Sequence, residues 1–360
     1  MTIKKENPTV EQYLQLYDTY SQTLICPCTN ITINYKEFLQ INYTLHQVCT
    51  SVFVTEEWLL YLATISLYQP LFQDDFLLLG YSTFQALYTL CEMSGRTIST
   101  SLTQFYSNEY ISTFTTSKDT FLLGNEPLIN QFKSSTINNF LLSFDLIRNT
   151  MVVNQIMSAS QSNYFFPSGP DMDGIFQPYT QSYYGCICQN SPECVTQYPV
   201  NSNPMTAAGF YIPDFYYGCY IMEALLLSTL ECFHDEICVN RIQSYITYTS
   251  PMNVTILDSS LSSQYFVNST IQDLVNNLMM EQWNSSITYE NYYNQCQPKQ
   301  CTYTYTTTNS AISIITILFG LVGGLVTILR LVVPLLVNFI AWIIRRRRQR
   351  IIPHISTIHN

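Results

Sequence analysis

Apolar residues recur at helical spacing in three stretches of the chain. In Thr136–Val153 they fall at Ile137, Phe140, Leu141, Phe144, Ile147 and Met151, a stripe that predicts an amphipathic helix. Between Cys219 and Cys238 the stripe is Met222, Leu225, Leu226, Leu230, Phe233 and Ile237. Between Ser269 and Trp283 it is Ile271, Leu274, Val275 and Leu278, with Ser269 and Gln272 in a capping-box pattern at its start. Further helices are expected at Glu56–Tyr68 and Asp75–Met93, whereas Thr97–Thr116 fits helix or strand. From Gln161 to Phe215 the texture changes. Seven of the fifteen prolines lie there with closely placed cysteines, which predicts an irregular, disulfide-pinned insert. The absence of any 20–50-residue period argues against a repeat solenoid. The expected fold class is mainly α: a helical, disulfide-bonded ectodomain over residues 1–309, with an irregular Cys/Pro-rich insert at 161–215, plus one C-terminal transmembrane helix.

The longest uniform pattern is Ala311–Leu329, with no charge and no proline. Its nineteen residues span roughly 28 Å as a helix, close to the hydrocarbon thickness of a bilayer. Arg330 and a second apolar run follow, then Arg345, Arg346, Arg347, Arg348 and Arg350. The run from Ala311 to Ile344 would be about 51 Å long as one helix, too long to cross upright. The span is therefore expected at residues 310–333, with Arg330 snorkelling to the inner headgroups and Pro334 marking a bend. Residues 334–360 form a juxtamembrane segment and arginine-rich cytosolic tail, with Trp342 at headgroup level. A buried core helix is the competing assignment, and the arginine run argues against it.

Charge divides the chain. Residues 1–309 carry 25 acidic and 9 basic groups, a net of −16, while residues 310–360 carry six arginines and no acid. The positive-inside rule then places the tail in the cytosol and the acidic part outside, at the plasma membrane. The arginines are expected to meet an anionic inner leaflet. Nucleic acid is excluded as a partner by the net charge of −10 and the terminal position of the only basic cluster. Only 11% of residues are charged, yet the 28 Tyr, 20 Phe and 3 Trp argue against disorder.

Cysteine divides the chain in the same way. Cys26, Cys28, Cys49, Cys91, Cys186, Cys188, Cys194, Cys219, Cys232, Cys238, Cys296 and Cys301 all precede the apolar run, an even set that suits an oxidising compartment. Members of each Cys-x-Cys pair are expected to bond elsewhere, since a bridge between them is strained. Cys296–Cys301 is the bridge expected locally, closing a proline turn. Glycosylation sequons start at Asn30, Asn42, Asn253, Asn268 and Asn284, all before the run. The opening stretch, Met1–Tyr20, has no apolar h-region and cannot act as a secretory signal. A signal peptide or a first membrane span upstream is therefore expected.

Catalytic patterns are sparse. There is no G-x-S-x-G, H-E-x-x-H, phosphate loop or G-x-G-x-x-G. A zinc site using His46, Cys49, His234 or Cys238 has the wrong spacings for a ribbon or finger. Asp171, Asp173 and Gly174 suggest a calcium loop, but the glycine comes early and the closing glutamate is missing, so a turn is expected. Glu56/Glu57 and Asp74/Asp75 are adjacent and do not share one helix face. His46 and His234 are the only histidines before the span, and His234 reads as a surface histidine at a helix end. No enzyme, metal or cofactor is expected. Gly320 and Gly324 have the spacing that lets two membrane helices approach, so self-association is possible through that face. Tyr303 and Tyr305 suit an outer aromatic belt.

Several motifs carry a resemblance to a known group. They are His46–Cys49, the Cys186-Ile-Cys188 pair with a following cysteine, Gly218–Phe233, Tyr292–Thr306 and Gly320–Pro334. Together they resemble an expanded family of cysteine-rich membrane proteins from bdelloid rotifers. The resemblance implies the topology and supplies no mechanism. The expected function is a non-enzymatic cell-surface glycoprotein whose ectodomain recognises or adheres to an extracellular ligand. The alternative is a subunit of a two-span ligand-gated channel with its first span upstream. The acid-sensing and epithelial sodium channel class has that topology, but its glycine–small–serine filter pattern has no match here.

Overall fold

The structure, a computed structural model, describes residues 1–68, 75–158, 161–166, 177–200, 209–246, 250–305 and 311–348. Asp74, the Asp171–Gly174 turn, Ser310, Arg350 and the rest of the tail lie outside these residues. The chain falls into two compact units, residues 1–26 with 300–360, and residues 27–299.

In chain order the strands and helices are β1 (Thr2–Glu6), α1 (Val10–Tyr20), β2 (Thr32–Asn34), β3 (Leu39–Leu45), α2 (Glu56–Tyr68), α3 (Phe76–Tyr106), β4 (Glu109–Ile111) and α4 (Lys118–Val153). The insert holds β5 (Tyr164–Phe165), β6 (Tyr179–Thr180), β7 (Ser182–Tyr183), β8 (Cys186–Ile187), β9 (Val195–Val200) and β10 (Phe210–Gly218). Then come α5 (Ile221–Leu227), α6 (Glu236–Ser244), α7 (Ile271–Val275), β11 (Met280–Ile287), α8 (Tyr289–Cys296), β12 (Gln300–Thr304) and α9 (Ala311–Arg348). About 54% of the chain is helical and 19% is strand, so "mainly α" holds only loosely.

The smaller unit is built on one antiparallel ribbon. β1 pairs with β12, Thr2 opposite Thr304 and Lys5 opposite Cys301. Cys26 bonds to Cys301, the Ile25 and Thr302 backbones bridge, and Tyr20 stacks on Tyr303 with centroids 4.5 Å apart. α1 starts on a reciprocal capping box between Thr9 and Gln12, which satisfies orphan amides at the helix end. α9 then runs as one helical segment through Pro334 to Arg348, so the segment after Pro334, expected to lie along the interface, is also helical. Loss of one amide donor is tolerated where the rest of a long apolar helix continues on both sides. None of its most apolar window is buried, unlike a core helix. It is the one helix among the described residues long and apolar enough to cross a membrane.

The larger unit is organised around aromatic side chains. Phe84 of α3 touches Phe53, Trp58, Phe76, Phe215 and Phe233, drawing α2, β10 and the turn before α6 onto one helix face. Offset and edge-to-face rings of this kind contribute about 0.5–1.5 kcal/mol per pair beyond their area. Tyr198 of β9 is fully buried there, and its hydroxyl meets that of Thr83 at 2.8 Å. A second cluster joins Phe38, Tyr110, Phe121 and Tyr292, with Phe121 and Tyr292 stacked at 4.1 Å. α4 begins at Lys118, ahead of the predicted stripe, and carries Pro127 within it. Its buried face is Phe121, Ile129, Phe132, Thr136, Phe140 and Phe144, whereas Ile147, near the end of the expected stripe, is exposed and Met151 is half-buried.

Two expected helices are interrupted. The Cys219–Cys238 stretch is α5, an extended Ser228, a 3-10 turn at Glu231–His234 and the start of α6. The Ser228 hydroxyl donates to the Ala224 carbonyl and accepts the Tyr216 amide, and the following Thr229 bridges Thr270. These long-range bonds replace the helical ones that would carry the stripe onward. The Ser269–Trp283 stretch is helical only over α7, capped by Thr270 with Asp273 rather than by Ser269 with Gln272. Leu278 and Met279 have φ of 57° and 52°, and the chain continues as β11 against β3. Both side chains are completely buried, and that packing holds a left-handed turn that non-glycine residues disfavour. Thr97–Thr116 divides between the end of α3 and β4. The insert is less irregular than expected, since β9 and β10 form a ribbon with a bulge between Tyr211 and Tyr216.

Candidate functional site

All twelve cysteines are bonded. The pairs are Cys26–Cys301, Cys28–Cys296, Cys49–Cys91, Cys186–Cys194, Cys188–Cys219 and Cys232–Cys238. The local Cys296–Cys301 bridge does not form. Gln297 closes α8 in the left-handed region, φ 47°, and the Cys296 carbonyl accepts the Thr29 and Asn30 amides, which sets Cys28 beside it. The zinc alternative loses its thiolates, since Cys49 and Cys238 are both in disulfides. No group of three metal-ligating side chains occurs among the described residues.

The five sequon asparagines are all exposed. Asn42 and Asn284 are direct cross-strand partners on the β3–β11 ribbon. Along β3, Leu39 and Ile41 are buried while Gln40, Asn42 and Thr44 face out. The period-2 alternation in Leu39–Leu45 is the sequence signal for that strand.

One concave site is lined by a charged pair. A cavity of about 360 Å3 lies between α3, the end of α4 and α5, within the usual size range for small-molecule pockets. Met151, Met157 and Met222 line it, side chains that adapt readily to irregular partners. At its edge Arg148 Nε donates to Glu223 Oε1 at 2.7 Å, and the Nη2 group donates to Oε2. Nη1 donates to Asp145 at 3.1 Å, and the guanidinium carbon sits 5.4 Å from the centre of the Phe144 ring. The Glu223 hydrogen bonds push the Arg148 pKa up, and burial opposes them. Glu223 is buried, and this fork supplies its carboxylate with a counter-charge and two hydrogen bonds. Neither residue carried a signal in the sequence. Arg148 lies one residue past Ile147 of the α4 stripe, and Glu223 is the single charge inside α5.

The two histidines of the larger unit are also drawn together. His46 is buried, and its Nδ1 accepts the Val48 amide at 3.3 Å, capping the 3-10 turn Gln47–Thr50. Burial lowers its pKa to about 4, with Glu281 opposing that shift and His234 adding to it. His234 is half-buried, and burial also lowers its pKa, against a hydrogen bond with the Leu257 backbone and the charge of Asp258. It is therefore no ordinary surface histidine.

On α9, Gly320 and Gly324 face open space. Arg330, Arg345, Arg346 and Arg347 are exposed, and Arg346 lies over the Trp342 ring at 4.8 Å. The side chain of Arg348 lies outside the described set. Tyr303 is taken up by its stack on Tyr20, and the Tyr305 amide donates to the Met1 carbonyl at 3.2 Å. No known family, curated protein or solved structure matches the chain. The class that the fold defines is thus a disulfide-bonded, aromatic-cored protein with one candidate membrane helix.

Proposed function

We propose that the chain is a non-enzymatic cell-surface glycoprotein, anchored by α9 with its arginine-rich end in the cytosol and its disulfide-bonded part outside, where it recognises or adheres to a ligand. The observation that carries this reading is the coincidence of two features in the chain before α9: six disulfides with no thiol left over, and five exposed glycan acceptors. Six bridges require an oxidising compartment, and the arginine cluster favours the opposite, anionic leaflet. Within that part, the 360 Å3 cavity beside Arg148–Glu223 is the favoured ligand site. Its charges are already spent on each other, so an apolar or neutral guest fits it best.

The test is protease protection on intact cells, with epitope tags at both ends. The expected result is a glycosidase-sensitive large part that shifts on reduction and is digested from outside, with the C-terminal tag protected. A protected large part with free thiols would overturn the reading.

A further inference from the structure

His46 and His234 are 188 positions apart, yet a charge on His234 acts on His46, and both touch one segment, Leu257–Phe266, His46 at Tyr265 and His234 at the Leu257 backbone. Each sits in a frame stapled by a disulfide. Cys49–Cys91 ties the turn after His46 to α3, and Cys232–Cys238 closes the turn that carries His234. The segment itself contains no cysteine, and its anchors are the neighbours of the two histidines. Gln47 donates to the Asp258 carbonyl at 3.0 Å and accepts the Asp258 amide at 2.8 Å. Phe233 accepts the Leu257 amide at 2.9 Å. At the far end Glu281 accepts Ser263 Oγ and the Gln264 amide, and the Tyr265 hydroxyl donates to the Met280 carbonyl.

We propose that this pair is an acid-sensitive latch: neutral, His46 and His234 hold the segment 257–266 closed against the stapled frame, and protonated, they release it. Three geometric facts support it. The His46 Nδ1 that would take the proton is the acceptor of the Val48 cap, so protonation sets two donors against each other. The His234 Nδ1 is buried with no hydrogen-bond partner among the described residues, so it has an open position for a proton and no acceptor to share it. Tyr265 of the segment packs edge-on against the His46 ring at 5.6 Å, so displacing that ring displaces the segment.

The charged groups facing the pair come from three elements. Glu281 of β11 attracts a cation on His46 and a charged His234 opposes it, while Asp258 and the Leu257 backbone of the segment favour a cation on His234. Asp273 of α7 acts on Tyr265. Burial outweighs the carboxylates at both histidines, so the closed form binds fewer protons than the open form. The closing free energy is therefore complete above the ordinary histidine range and is lost as pH falls from there toward about 4. For His46 alone the opening equilibrium rises about 30-fold between pH 7.5 and pH 5.0. The segment carries the exposed Leu261 and Phe266, so release alters an apolar surface on that face. The latch does not depend on the membrane reading.

The experiment is hydrogen exchange by mass spectrometry on the full chain in detergent, from pH 7.5 to 5.0, with rates corrected for intrinsic exchange. Peptides covering 257–266 should open about 30-fold toward acid while those of α3 stay protected. His46→Asn keeps a cap acceptor that does not titrate and should flatten the response. His234→Gln should reduce it, and Glu281→Gln should leave its onset in place but extend the loss to lower pH, since that carboxylate acts on the closed form alone. Equal protection at both pH values, parallel opening of α3, or an unaltered acid response in both histidine variants would overturn the proposal. If His46→Asn does not fold, the wild-type profile and His234→Gln decide alone.

Discussion

Asn42 on β3 lies directly across from Asn284 on β11, and both side chains point to solvent on the same face of the ribbon. Directly opposed residues in an antiparallel pair have Cα atoms about 4.5–5.5 Å apart. Two branched glycans rooted that closely crowd each other, although 242 residues separate them along the chain.

The first prediction is negative coupling between these two acceptors. In protein made through a secretory pathway, intact-mass analysis should find the doubly occupied form below the product of the single occupancies. Asn42→Gln should raise occupancy at Asn284, and Asn284→Gln should do the reverse. Both substitutions are on exposed strand positions and should change stability by no more than about 0.5 kcal/mol. Independent occupancy would show that the ribbon forms too late, or too loosely, to matter.

Gly218 supplies a second prediction. A Cβ added there would overlap the Cys194 carbonyl oxygen and lie 2.9 Å from the Val195 Cα, both backbone atoms. The same junction holds the Cys219 amide on the Cys194 carbonyl at 3.1 Å and is flanked by the Cys186–Cys194 and Cys188–Cys219 bridges. The ribbon cannot shift without straining both. Gly218→Ala should cost about 3 kcal/mol in denaturant unfolding and leave thiols open to alkylation. Gly124 on α4 meets nothing within 4 Å, so Gly124→Ala should instead stabilise by about 0.5–1 kcal/mol.

How much of this was legible beforehand follows from the range of the interactions. α2 and the start of α3 could be read because their signals are local: an apolar run, and Asp75 accepting the Leu77 amide as a cap. The helix expected across Cys219–Cys238 failed at Ser228 and Thr229, where the competing bonds come from Tyr216, just before the stretch, and from Thr270, far beyond it. The end of α7 was hidden for a similar reason. Leu278 and Met279 look helical by composition, and only burial of both side chains explains their left-handed backbone. The cavity beside Arg148 and Glu223 was invisible, because it needs α4 and α5 to meet and neither residue stands out alone. The exposed acceptors and the apolar helix were plain, since each is a short linear pattern.

The Arg148–Glu223 fork gives a third prediction. Arg148→Met leaves a buried carboxylate with no cation and should destabilise by about 3 kcal/mol. Glu223→Gln should cost less, about 2 kcal/mol, because the guanidinium retains Asp145 and some solvent contact. Replacing both with apolar residues of similar size, Arg148→Met with Glu223→Leu, should restore most of the loss. Denaturant unfolding of the four proteins closes the cycle. Additive single effects would show that the pair contributes only packing.

The fourth prediction concerns the disulfides around the turn at Gln297, where local spacing and the folded chain disagree. Cys296 and Cys301 are five residues apart, and a proline lies between them. The structure instead pairs them with Cys28 and Cys26 across 268 and 275 residues. Each long pairing has its own backbone support. The Thr29 amide reaches the Cys296 carbonyl at 2.8 Å, and the Ile25 and Thr302 backbones exchange bonds at 2.8 Å beside Cys26–Cys301. Tryptic digestion without reduction separates the candidates. Cleavage at Lys5, Lys36, Arg241, Lys299 and Arg330 places Cys26 and Cys28 on one peptide, Cys296 on a second and Cys301 on a third. The three should travel as one linked species. A Cys296–Cys301 bridge would instead leave the second and third peptides joined to each other alone. Closing loops this long restricts the unfolded chain, so replacing Cys28 and Cys296 together with serine should cost about 3–5 kcal/mol. Cys301 should stay bonded to Cys26 in that variant, because its strand remains held by β1.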